Sequence, residues 1–138
     1  MLAIVVYTKS SSSSSRKAKK WLNENNICFT ERNIDKKVLT AEELKEILTL
    51  TESGVEDIIS FRSTAFKELQ LDVESMTFEK AVQLMTETPD LLRLPIIKDR
   101  KRLQIGFHAG DIRQFLPKET RRKQLSLLKH FELSMDSF

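Results

Sequence analysis

A run of apolar, largely β-branched residues, Leu2-Ala3-Ile4-Val5-Val6, leads through Tyr7, Thr8 and Lys9 into six consecutive serines, Ser10 to Ser15. The chain then continues as Arg16-Lys17-Ala18-Lys19-Lys20-Trp21-Leu22. The first run has the length and branching of a buried strand, and the last has the spacing of a helix. The serines therefore stand where a strand turns into a helix. A serine late in that run can cap the helix with its hydroxyl, and the N–H groups of the first turn face whatever occupies the loop, which makes it a position for chemistry. A flexible linker is the competing reading of six serines, but a linker joins two domains and nine residues precede this one.

Downstream, Cys28 to Ile34 alternates loosely and predicts a second strand, with Asn25-Asn26 as the turn before it. Strand, helix and strand in about thirty residues make a βαβ unit, with parallel strands joined by a right-handed crossover. Thr40 with Glu43 is a capping-box pair, and Leu44, Ile47 and Leu48 give the apolar stripe of a second helix ending between about Leu50 and Glu52. Gly54 stands where a residue of positive φ would close that helix. The segments Val55 to Phe61, Ser63 to Leu69 and Thr77 to about Pro89 read as further helices, with Phe61, Phe66 and Phe78 expected in the core.

Pro95 opens Ile96-Ile97-Lys98, and a short charged turn separates it from Leu103-Gln104-Ile105, which predicts an antiparallel hairpin. A cis peptide at Pro95 is one of two open possibilities. Asp111 to Leu116 reads as a closing helix stopped by Pro117. The tail from Lys118 carries Arg121, Arg122, Lys123 and Lys129 with Leu125, Leu128 and Phe131 about one helical turn apart. It is open to two readings, an amphipathic helix or a frayed end. The expected fold is α/β, a mixed sheet with an N-terminal βαβ unit, a helical insertion over about 40–90, and a C-terminal hairpin and helix. One domain would span 1–117, and 118–138 would form a basic tail.

Composition narrows the function classes. The chain has 138 residues, 40% apolar and 31% charged, as expected of a soluble globular domain. No stretch reaches the length of a membrane span and no signal peptide is evident, so a cytoplasmic protein is expected. Cys28 is the single cysteine, and His108 and His130 are far apart, so neither an internal disulfide nor a metal or other cofactor is expected. Cys28, at the head of the second strand, is expected to be core. Net charge is +3. It is uneven: residues 1–33 hold Lys9, Arg16, Lys17, Lys19, Lys20 and Arg32 against Glu24 and Glu31, while 40–57 is acidic. That asymmetry suits a partner surface better than a general grip on nucleic acid, and solvated helix faces are the bland alternative.

The order of elements is that of a thioredoxin-like fold. Tyr7-Thr8, Ser12 to Ala18, Trp21-Leu22, Glu31-Arg32-Asn33-Ile34, Thr51 to Gly54, Ile58-Ile59-Ser60, Arg62-Ser63, Val73 to Met76, Leu91-Leu92-Arg93, Pro95-Ile96-Ile97, Lys101 to Gly106 and Ile112 to Pro117 resemble the Spx-type regulators of the arsenate-reductase-like (ArsC/Spx) family. The resemblance runs from about Leu2 to Pro117. It implies a transcriptional regulator that binds the C-terminal domain of the RNA polymerase α subunit, meets promoter DNA only within the polymerase complex, is degraded by ClpXP, and acts as a monomer on stress genes. It also implies that the family's Cys-x-x-Cys redox switch falls on Ser12 and Ser15. A thiol there would be activated by the helix N-terminus and by Arg16 and Lys17. Serine cannot form a disulfide, whether the loss is natural or two cysteines were replaced to mimic the reduced form.

Two further departures bear on function. The family's arginine before the proline is Leu94 here, with Arg93 one residue earlier, and a basic position on the second helix falls on Thr49. The polymerase contact is expected at Gly54, with Arg16, Lys17, Lys20 and Thr49 around it. The alternatives are an adaptor of the same fold for another partner, or a reductase-like enzyme inactivated by serine at its thiol positions. An enzyme is not expected, because no histidine adjoins Ser12 or Ser15 to activate a hydroxyl.

Overall fold

Val5–Thr8 forms β1, and its burial follows from its place inside the sheet: Val6, Tyr7 and Thr8 are almost fully covered. The computed structural model describes residues 4–117 together with 120, 122 and 127. Leu125, Leu128 and Phe131 of the expected tail lie outside the described residues. The chain divides into two units at Phe107 and His108.

In the first unit, β1 is followed by α1 (Ser13–Glu24), β2 (Thr30–Asn33), α2 (Ala41–Thr49), α3 (Val55–Ile58), α4 (Thr64–Leu69) and α5 (Phe78–Glu87). A 3-10 turn at Pro89–Leu91 then precedes β3 (Ile96–Lys98) and β4 (Leu103–Ile105). The sheet order is β2-β1-β3-β4. β1 runs parallel to β2 and antiparallel to β3, which pairs with β4 as a hairpin. The fold is the expected α/β mixed sheet with a helical insertion, and the Leu94–Pro95 peptide is cis. The second unit contains the expected short closing helix in 3-10 form, Asp111–Phe115, with Leu116 N–H donating to Arg113 O at 3.0 Å.

Side chains alternate across a sheet. Arg32, in register with Tyr7, reaches Glu43 of α2 at 2.5 Å, while its neighbour Glu31 reaches Lys19 of α1 at 2.9 Å. Helices α1 and α2 therefore cover opposite faces. On the α2 face, Tyr7 and Ile96 pack with Leu44, Ile47, Leu48, Ile58, Val82, Met85 and Leu91 in one cluster. On the α1 side, Ala18 and Leu22 are fully buried. Thr40 caps α2 in the expected box: Glu43 N–H donates to Thr40 Oγ1 and Thr40 N–H to Glu43 Oε1, both at 3.1 Å.

Several expectations are corrected. The second strand begins at Thr30 rather than Cys28, and it is an edge strand, so Cys28 is exposed rather than core. Helix α2 stops at Thr49 with Leu50 as its C-cap, at the near limit of the expected range rather than at Glu52. Gly54 does take positive φ, but as the N-cap of α3 rather than as the close of α2. Phe61 (46%) and Phe78 (50%) are exposed; only Phe66 is half-buried, its ring meeting Phe61 edge-on at 5.0 Å. Phe61 precedes α4, which has no fully buried residue, while Phe78 opens α5, whose buried face is formed by Ala81, Val82 and Met85 further along.

Candidate functional site

The serine loop is held from several directions. Ser12 N–H donates to Lys9 O (3.0 Å), turning the chain, and Ser12 Oγ accepts Ser15 N–H (3.1 Å), which makes Ser12 the N-cap of α1. Ser10 N–H donates to Asp35 Oδ2 (2.9 Å), Asn33 Nδ2 to Ser10 Oγ (3.1 Å), and Arg16 Nη1 to Ser10 O (2.9 Å). Lys9 is paired with Asp90. Ser15 is 1% exposed. The loop borders a cleft of about 280 Å³ whose walls carry Lys9, Arg16, Lys19 and Lys36 with Glu31. Glu31 accepts from Lys19 and from Thr8 Oγ1 (2.7 Å), and the Lys19 hydrogen bond is the main reason its carboxyl lies below the usual range.

Chemically this loop borders a pocket lined by cationic side chains, serine hydroxyls and Glu31. Ser12 and Ser15 carry hydroxyls and cannot form a disulfide, and no group among the described residues forms a metal-binding cluster. Arg93 is exposed and lines clefts with Glu52, Glu56, Asp57, Phe61 and Arg62 rather than the serine-loop cleft, while Leu94 packs against the core.

The second place of interest is the turn after α2. Gly54 has φ 70° and ψ −132°, and a Cβ built on it would meet nothing within 4 Å. Glu52 and Ser53 N–H groups both donate to Asp57 Oδ2 at 3.0 Å, and Asp57 N–H donates to Gly54 O at 3.1 Å. Beside the turn lies a cleft of about 360 Å³ with Leu50, Leu103 and Ile105 as its apolar wall and Glu52, Glu56, Asp57 and Arg93 as its charged groups.

Of the residues singled out in the sequence, Ser12, Ser15 and Arg16 come together at the start of α1. Lys17 and Lys20 are exposed on that helix, Lys20 lying 3.9 Å from Glu24. Thr49 is exposed, but its Oγ1 donates back to Glu46 O at 2.6 Å. Gly54 follows α2, so the α1 cations and Gly54 belong to opposite layers of the fold. Asp57 was missed in the sequence; its signal was a carboxylate three residues after a glycine N-cap, the N3 position of a helix.

The sequence pattern of the ArsC family matches residues 7–115. Over 122 residues the chain is 48% identical to the global transcriptional regulator Spx 1 of Bacillus cereus, a match covering 88% of this chain and 93% of that protein. Among solved structures, an ArsC family related protein from Bacteroides fragilis superposes with a TM-score of 0.72 at 29% identity, over 81% of this chain and 96% of that one. The arsenate reductase from Vibrio cholerae gives 0.68 at 24% identity, over 83% and 96%, a likeness of fold alone.

Proposed function

This chain belongs to the ArsC family, and we propose that it is a transcriptional regulator that acts by binding the C-terminal domain of the RNA polymerase α subunit. The observation that carries this is the 48% identity to a global transcriptional regulator across most of both chains. No enzymatic step belongs to this reading: similar proteins of that identity carry the name of regulators, and the reductase likeness is one of fold.

The proposed contact is the Gly54 turn. Open space above the glycine suits close approach of a partner backbone, which a side chain there would obstruct. Arg16, Lys17 and Lys20 are secondary charged neighbours, because a partner touching both helices has to reach around the sheet. Thr49, tied to its own helix, contributes little. Ser12 and Ser15 keep the loop in a thiol-free form, so binding does not respond to oxidant. Promoter DNA is met only within the polymerase complex, and turnover falls to ClpXP. Titration of the chain against the isolated C-terminal domain of polymerase α, with Gly54→Arg as the negative variant, tests this reading.

A further inference from the structure

We propose that Asp57 is the positioning residue of the Gly54 turn, fixing the backbone shape that the partner domain reads; this rests on the docking reading given above. Gly54 is an N-cap without a side chain, so α3 lacks the hydroxyl that caps α1, α2, α4 and α5. The missing fastening comes from the other direction. Asp57, at the third position of α3, extends its carboxylate backwards over the turn and accepts the N–H groups of both Glu52 and Ser53 on one oxygen, each at 3.0 Å. Its own N–H donates to Gly54 O at 3.1 Å. The three bonds enclose Gly54 from both sides.

That enclosure matters because of where Gly54 sits. A backbone at φ 70° and ψ −132° is one that glycine enters without steric cost but does not favour over many others. The glycine has no side chain to pack, and an added Cβ would find no neighbour within 4 Å. Packing around the glycine itself therefore contributes little to holding the turn in one conformation. Hydrogen bonds from N–H groups to an ionised carboxylate are among the stronger ones available, and here two of them converge on one atom. A partner that binds only the fixed shape loses affinity in proportion to the time the turn spends in other shapes. Asp57 thus acts through the backbone of Glu52 to Gly54 rather than by touching the partner.

Positioning makes a prediction that direct contact does not. Asparagine keeps a carbonyl oxygen on the same branch and can accept both N–H groups without the charge. We expect Asp57→Ala to weaken binding of the isolated polymerase α domain by about tenfold or more, the factor for a turn correctly shaped a tenth of the time. Asp57→Asn should stay within about threefold of the parent, equivalent to well under one 1.4 kcal/mol decade. In amide-exchange NMR, Glu52 and Ser53 should lose protection in the alanine variant and keep it in the asparagine variant. Asp57→Ser, with a shorter acceptor, is measured alongside, and it carries the comparison if the alanine variant fails to fold. Unchanged binding by folded Asp57→Ala, or by folded Asp57→Ser with both amides unprotected, would overturn the proposal. So would an asparagine variant as weak as alanine with its amides still protected, since the partner would then be reading the charge. The parent chain and Gly54→Arg run in the same titration: if both bind equally the docking reading itself fails, whereas loss in Gly54→Arg with no loss in Asp57→Ala defeats only the role of Asp57.

Discussion

Gly54 illustrates how a single residue's cost and purpose separate. Space is not limiting, since a Cβ there meets nothing within 4 Å, so Gly54→Ala should destabilise through the backbone alone, by about 1–3 kcal/mol. Urea denaturation of the two proteins measures it, and a neutral result would show that the turn relaxes into another conformation. A second residue-scale prediction concerns Glu43. Arg32 hydrogen-bonds its carboxylate and lowers its pKa from 4.5 to about 2. The folded pKa is depressed, so this contribution to stability is present above about pH 4.5 and is lost as pH falls toward 2. Stability measured from pH 6 down should fall more steeply for the parent than for Glu43→Gln, and parallel curves would contradict the pairing. Individual positions were also where sequence reading went astray. Cys28, Phe61 and Phe78 are apolar enough for a core, yet the first precedes an edge strand, the second precedes a helix with no buried face, and the third stands at the exposed start of α5. Composition does not reveal which side of a layer is left uncovered.

At the scale of elements, local signals were legible wherever one short-range interaction fixes them. The capping box at Thr40 and Glu43, the serine cap of α1, the Thr77 cap of α5 and the hairpin around Asp99 to Arg102 all stand in the structure. Boundaries that depend on tertiary pairing were not: β2 is shortened because only Thr30 to Asn33 lie beside β1. The serine loop belongs to this scale, and the position of its cap yields a prediction. Ser12 is the N-cap and Ser15 the third helical residue, with Ser15 N–H donating to Ser12 Oγ at 3.1 Å. Residues three apart at a helix start are neighbours, so cysteines placed at both positions should oxidise to a disulfide. Mass spectrometry showing two free thiols after oxidation would contradict this placement. Ser12→Ala should cost about 1 kcal/mol through the lost cap, read as a lower urea midpoint.

The first unit, taken as a whole, presents two layers with different characters. One face of the sheet carries the basic α1 and its serine loop; the other carries α2 leading to the acidic Gly54 turn. The charge asymmetry was visible in the sequence, but that α1 and α2 lie on opposite faces required the Lys19–Glu31 and Arg32–Glu43 pairs to be seen. A redox prediction also belongs to this scale: with serine at positions 12 and 15, diamide should leave partner binding unchanged, also with Cys28→Ala, and an oxidant-dependent affinity in that variant would contradict it. The central claim is docking at the Gly54 turn, and calorimetric titration against the isolated C-terminal domain of polymerase α tests it most directly. The account predicts saturable binding by the parent chain and its loss in Gly54→Arg protein whose circular dichroism shows it folded. No binding by the parent chain, or equal binding by folded Gly54→Arg, would contradict it.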